Sequence, residues 1–366
     1  MISPTEAVAK SSYCLLTDPC PFDILPCDLR ADRWWMQFDR LKRREVITLL
    51  GGAAAAWPLA ARAQSLVKKI RSLGLLLPGL PEASTGKATR DRLRELGYTE
   101  GRDILLEARW ADGKMERLDE LAVELARLQL DVIIAYTTPG AIAARKATST
   151  IPIVFLFVGD PVGAGVVPSL AHPGGNATGI SLLATELSAK RLEILLEIVP
   201  KASRVAMLWN DANTGMVLRS REAQDAAAKL GVAIKSVGVH DLVSFDSAFA
   251  MIDSEPIDAL LTLVDPFTLQ HRKRIVDFAD LRRLPAIYEA GEFVETGGLI
   301  SYGPNLIVIE RRAAEYVDKI LKGAKPPDLP VEQPSKFEML INMKTANALG
   351  LSVPPSVMLR ADRVVE

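Results

Sequence analysis

Two stretches of this chain carry the same punctuation in the same order, and that repeat restricts the fold more than any other feature. "RELGYTEGRDI" and "AAKLGVAIKSV" each end a helical pattern in Leu-Gly and enter an apolar run. Gly97 and Gly231 suit the left-handed position just past a helix end, where a Cβ carries a steric cost. "LQLDVIIAYTTP" matches "EPIDALLTLVDP": Asp131 and Asp258 precede the run, and Pro139 and Pro266 follow it. "TIPIVFLF" matches "RLPAIYEA" through Pro152 and Pro285. The paired positions lie 127 to 134 residues apart. Four matches in one order predict two homologous lobes.

Each lobe reads as alternating strands and helices, the pattern of a parallel α/β sheet. The runs at 73–77, 103–108, 132–136 and 153–158 form the first set. Those at 205–209, 232–237, 259–264 and 286–288 form the second. Beyond the second set, "GGLISYGP", a helical pattern at 309–321, the proline-rich "KGAKPPDLPVEQP" and a last strand and helix remain. They are what a chain needs to cross between lobes more than once. We therefore expect lobe 1 at 64–180 and 297–325, and lobe 2 at 181–296 and 326–366.

The segment "LKRREVITLLGGAAAAWPLAARAQS" has the three parts of an export signal. Lys42, Arg43 and Arg44 form the basic head, residues 46–61 carry no charge, and Ala61-Arg62-Ala63 fits the small-residue cleavage rule. The uncharged run of 16 residues is short of the roughly 20 that span a bilayer, and Gly51, Gly52 and Pro58 weaken it further. The adjacent arginines before x-Val-Ile point to the twin-arginine route, with an ordinary Sec signal as the alternative. Cleavage after Ala63 predicts a soluble periplasmic product with no stable membrane insertion. Residues 1–35 are expected to be a mis-called extension upstream of Met36, and 36–63 the signal. All three cysteines, Cys14, Cys20 and Cys27, lie in that extension, at spacings unlike a zinc site.

Composition excludes several classes. Basic and acidic residues number 44 and 45, so the chain lacks the footprint of a nucleic-acid binder. The 303 residues after Ala63 contain no cysteine for thiol chemistry, and His172, His240 and His271 have no ligand spacing. "PGLPEASTGKAT" is not a P-loop, because six residues separate Gly79 and Gly86 and Ala88 replaces the hydroxyl. No catalytic residue, metal or cofactor is expected.

Polar residues at strand ends are the candidates, because ligands of open parallel sheets bind beyond the C-terminal ends of the strands. Thr137-Thr138-Pro139-Gly140 opens a helix after the third strand, with Thr as the N-cap and free N–H groups that suit a carboxylate. Asp160 and Asp265 end equivalent strands and suit a ligand ammonium. Tyr288 offers an aromatic face and Glu289 stands beside it. Ser84 and Thr85 in the first loop, with Asn210 and Asn213 in the matching loop, complete a ring.

"RREVITLLGGAAAAWPLAARAQ", "TIPIVFLFVGDPVGAGVVPSLAHPGGNATGIS", "KRLEILLEIVPKASRVAMLWN" and "AAEYVDKILKGAKPPDLPVEQPSKFEMLINMKTANALGL" resemble the ABC-transporter substrate-binding proteins related to tryptophan/tyrosine-binding proteins. The resemblance covers residues 36–366 and departs in the polar first helix after Ser84. It implies a type I periplasmic-binding-protein fold: two Rossmann-like lobes, a multi-strand hinge and a small ligand, such as an amino acid, clamped between them. It also implies an ABC permease and its ATPase as partners of a non-catalytic receptor, with Thr137, Thr138, Asp160 and Asp265 at the site; a monomer is the default expectation for its oligomeric state. Two alternatives share the fold: an enzyme using Asp160 and Asp265 as paired carboxylates, and a periplasmic sensor for a membrane receptor.

Overall fold

The structure is a computed structural model and describes residues 70–81, 85–182 and 185–366. Ser84 and the export-signal residues Arg43, Arg44, Ala61 and Ala63 lie outside the described residues. The first half runs β1 (Arg71–Leu77), α1 (Lys87–Glu95), β2 (Ile104–Trp110), α2 (Leu118–Arg127), β3 (Val132–Tyr136), α3 (Thr137–Ala147), β4 (Ile153–Val158) and β5 (Ala177–Ser181). Its sheet has the order β2-β1-β3-β4-β5, all parallel.

The second half runs α4 (Thr185–Ile198), β6 (Arg204–Asn210), α5 (Thr214–Lys229), β7 (Ala233–Val239), α6 (Ser244–Asp253), β8 (Ala259–Thr262), α7 (Pro266–Gln270), α8 (Arg272–Leu281), β9 (Ala286–Tyr288), α9 (Gly291–Glu295) and β10 (Ile300–Pro304). Its order β7-β6-β8-β9-β10 repeats that of the first sheet. After α10 (Leu306–Leu321), the chain adds β11 (Phe337–Asn342) antiparallel to β10, then α11 (Met343–Leu349), α12 (Pro355–Met358) and β12 (Arg363–Val365). The fold is therefore α/β with two Rossmann-like lobes.

The repeated residues do the same work in both lobes. Gly97 and Gly231 have φ of 94° and 74°. In each, the next residue's N–H reaches back across the helix end, Tyr98 to Leu93 O and Val232 to Ala227 O. The Asp131 carboxylate accepts from the Ser72 N–H at the start of β1, and Asp258 accepts from Ser203 and Arg204 N–H at the start of β6. Each thus ties the third strand of its sheet to the first.

Helices cover both faces of each sheet, so the central strands are apolar on both sides. Leu73, Leu75 and Leu77 pack with Ile309, Ala313 and Val317 of α10, while Leu76, Ile133 and Phe155 pack with Leu121 and Leu125 of α2. In the second lobe Val205 and Met207 face Leu192 and Leu195 of α4, and Ala206 and Leu208 face Phe245 and Ile275.

The crossings differ from the expected boundaries. Residues 300–304, expected in lobe 1, pair with β9 in the second sheet, because β10 repeats β5. The chain then passes to the first lobe at Asn305, and α10 covers β3, β4 and β5. It stays there beyond residue 325: Glu332 pairs with the end of β5, through Ser181 N–H to Glu332 O and Glu332 N–H to Gly179 O. The third crossing follows Glu332, so three short passages join the lobes.

Candidate functional site

In this strand order the chain diverges between the first and third strands, and the loops leaving them open a crevice at their C-terminal ends. The two crevices, β1/β3 and β6/β8, face one another across a cavity of about 280 Å³. Thr85 follows β1, Thr137 follows β3, Asn213 follows β6 and Asp265 follows β8, and all four line it.

The second-lobe wall is organised around Asp265, which is 5% exposed. Its Oδ1 caps α7 by accepting from Thr268 N–H at 2.9 Å, and the Thr268 hydroxyl accepts from Asp265 N–H at 2.9 Å, a closed capping box. Its Oδ2 accepts from Asn210 Nδ2 at 2.6 Å and Asn213 Nδ2 at 3.2 Å. The orientation of both amides is forced: Asn210 Oδ1 accepts from Ala212 N–H and Asn213 Oδ1 from Gly215 N–H, so each NH2 turns toward Asp265. Every partner of this carboxylate is neutral, and no Lys, Arg or His among the described residues forms an ion pair with it. A carboxylate has about four acceptor positions. The single Thr268 hydroxyl proton can go to Leu263 O at 3.2 Å, which leaves one position for a ligand.

The first-lobe wall is the start of α3. Its N-cap is Tyr136 rather than a threonine, and no side chain caps it. Thr137 is the first helical residue, held at φ 69° and 2% exposed, with no hydrogen-bond partner for Oγ1. A positive φ is a genuine outlier for a β-branched residue, and such strain concentrates at ligand sites. The other three helices that begin at the crevices are already satisfied. Glu310 of α10 accepts from Gly86, Ala88 and Thr89 N–H at the start of α1. Asn213 caps α5 and Asp265 caps α7. The α3 terminus alone among these four has no side-chain acceptor at the positive end of its dipole.

The apolar remainder of the cavity includes Phe157, Leu182, Met216, Leu269, Leu306 and Ile307. Phe157 also has a positive φ, 59°, at the irregularity where β4 shifts register against β5. Its ring lies 6.0 Å from that of Tyr136.

The expected ring is only partly assembled. Thr138 is buried against the other lobe, and Asn210 holds Asp265 from behind. Asp160 does not line the cavity; it is exposed and folds back to accept from Val162 and Gly163 N–H. Tyr288 and Glu289, expected at the cleft, turn into the second lobe. The Tyr288 ring stacks on Phe293 at 4.7 Å, and burial pushes its hydroxyl pKa up. Glu289 joins a buried cluster. It accepts from Arg191 Nη1 at 2.6 Å, from Arg219 Nη2 and from Val264 N–H at 2.7 Å, while Arg191 Nε donates to Tyr302 O and Arg219 Nη1 to Val264 O. Burial would raise the Glu289 carboxyl, but the two guanidiniums outweigh it and hold it below its ordinary value. Phe157, Glu292 and Glu310 line the cavity without having been expected there.

The lobes touch across the cleft. A Cβ placed on Gly215 would lie 2.5 Å from Thr138 Oγ1 and 2.7 Å from its Cβ, and one on Gly159 would lie 3.3 Å from Arg219 Cδ. This approach therefore requires glycine at 215.

Among the described residues no group of His, Cys, Asp and Glu could hold a metal ion, and no helix is long and apolar enough to cross a membrane. A tyrosine-binding protein of Clostridioides difficile is 28% identical over 291 residues, covering 78% of this chain and 82% of that protein. A conserved domain protein from Vibrio cholerae superposes with TM-score 0.74 at 29% identity, over 81% of this chain and 100% of that one. An ABC domain from Streptococcus pneumonia, solved in complex with L-Trp, gives TM-score 0.73 at 24% identity, over 81% and 100%. A ligand-free, open substrate binding protein with adhesive properties from Clostridium difficile gives 0.57 at 25% identity, over 81% and 99%. Residues 78–365 match the family described as ABC transporter substrate binding protein, and with its two-lobed type I periplasmic-binding fold the chain belongs to that family.

Proposed function

We propose that this protein is the periplasmic receptor of an ABC importer and binds an amino acid as its zwitterion. The α-carboxylate rests on the free N–H groups of α3 and on the Thr137 hydroxyl. The ammonium takes the open position on Asp265. The observation that carries this reading is the pairing of a buried carboxylate that lacks a counter-ion with an uncapped helix terminus in one cavity. A tyrosine-binding relative and a structural neighbour solved with L-Trp support the class. The paired-carboxylate enzyme loses its premise, since of the two acids only Asp265 lines the cavity. The purified protein should be warmed with the twenty amino acids and with simple carboxylates and amines. An amino acid at 100 times its Kd adds about 2.7 kcal/mol, a shift of a few degrees in the melting temperature. Stabilisation by amines or carboxylates alone, and by no amino acid, would sink the zwitterion reading.

The receptor acts as a monomer whose closed form delivers ligand to the permease and its ATPase. Closure depends on Gly215, so Gly215→Ala should weaken binding by about tenfold or more, ~1.4 kcal/mol. The melting temperature without ligand should fall only slightly, because the severe clash of the added methyl is with Thr138 of the opposite lobe, and within its own lobe it meets only Asn213 Oδ1, at 3.3 Å. Equal affinity in calorimetry would show that binding does not need this approach. Export uses residues 36–63, with cleavage after Ala63. The periplasmic protein should begin at Gln64 on N-terminal sequencing, and Arg43→Lys with Arg44→Lys should leave it in the cytoplasm if the twin-arginine route carries it. Continued export would assign the Sec route.

A further inference from the structure

The carboxylates lining the cavity are accounted for one by one. Asp91 pairs with Lys87 and Arg94, Glu310 is spent on three backbone N–H groups, and Asp265 is held by Asn210, Asn213 and Thr268. Glu292 is the exception: its side chain forms no hydrogen bond or ion pair with any other described residue, accepting only from its own backbone N–H, yet it is partly buried and lines the cavity. Burial pushes its carboxyl pKa up, and Glu295 and Glu338 add to this against the hydrogen bond from its own backbone N–H and the charge of Arg272.

Its place in the sheets gives it a direction. Thr137 and Asp265 follow the third strand of each sheet, beside the switch point. Phe157 ends the fourth strand of the first sheet, and Glu292 follows the fourth strand of the second. Leu182 and Leu306 follow the two fifth strands. Neighbouring strands lie about 4.8 Å apart. A zwitterionic head on β3 and β8 therefore sends its side chain over the ends of β4, β5, β9 and β10, between apolar walls and toward Glu292. We propose that Glu292 selects ligands whose side chain ends in a hydrogen-bond donor, a hydroxyl or a cation, with an apolar body before it. This rests on the zwitterion reading above and adds the identity of the far end.

The test uses matched pairs that differ only at that end: tyrosine with phenylalanine, and lysine with norleucine, titrated calorimetrically into the purified protein. The donor-bearing member of at least one pair should bind about tenfold tighter or more, because a site built to hydrogen-bond a donor rejects the analogue that lacks it. The pair that shows the preference identifies hydroxyl or cation. Glu292→Leu should abolish the preference while changing the affinity of the apolar member less than about threefold. Glu292→Gln should keep part of a hydroxyl preference and lose a cation preference. Equal binding within both pairs, or a preference that survives Glu292→Leu, overturns the role of Glu292 alone. Failure of every member to bind overturns this proposal, and the zwitterion reading falls with it only if none of the twenty amino acids stabilises the protein.

Discussion

Glu289→Gln lowers the stability of the protein by about 3–5 kcal/mol, because breaking a buried ion pair leaves uncompensated charge in a low-dielectric interior. The native cluster holds two guanidiniums and one carboxylate, with all three residues at most 3% exposed. Glutamine keeps the shape and an acceptor oxygen, so the loss reports charge rather than volume. The melting temperature should fall on the order of 10 °C. The pH dependence has a defined sign. The folded carboxyl lies below its ordinary value, so its contribution is present above the unfolded pKa and is lost as pH falls through the folded one. The gap between wild type and Glu289→Gln should therefore shrink on acidification. Replacing the whole cluster, with Glu289→Leu, Arg191→Met and Arg219→Met together, should recover much of the loss, since apolar replacement of a buried ionic group is often neutral or better. A drop below about 1 kcal/mol for Glu289→Gln in denaturant titration would mean that water reaches the cluster.

The same cluster marks where the sequence stops being readable. The lobes were legible because their punctuation is local physics: Gly97 and Gly231 end helices, and Asp131 and Asp258 tie strands by contacts that recur one lobe later. Strand ends were legible as candidate positions because every open parallel sheet exposes them on one side. Which way a side chain points from a strand end was not. Tyr288 and Glu289 close β9, yet one stacks on Phe293 and the other meets two arginines from α4 and α5, which only the packed lobe brings together. Asp160 sits in a turn that consumes its own carboxylate. The residues that sequence missed reach the cavity by indirect routes. Phe157 gets there through a positive φ at a register shift, Glu292 through a five-residue helix, and Glu310 from a helix that crosses back from the other lobe. The boundary near residue 300 was readable in principle, since a fifth strand in one lobe predicts a fifth in its repeat.

Asp265→Ala should reduce affinity for the amino-acid ligand by roughly 2–5 kcal/mol, the range for removing one partner of a buried charge pair. Two losses are mixed in that figure, and they can be separated. One is structural: α7 loses its cap, worth about 1 kcal/mol, and the Asn210 and Asn213 amides lose their shared acceptor. That part appears without ligand, as a modest fall in melting temperature. The other is the counter-charge for the ammonium, and it appears only in binding. An analogue with the carboxylate and side chain but no amino group isolates it. Wild type should bind that analogue far more weakly than the amino acid. Asp265→Ala should bind both alike, giving a coupling between residue and ammonium on the order of 2 kcal/mol or more in a double-mutant cycle. If the variant discriminates as well as wild type does, the ammonium lies elsewhere. Glu292, the cavity carboxylate with no hydrogen bond or ion pair to another described residue, would then be its counter-ion, and the ligand would lie reversed, with its side chain toward Asp265.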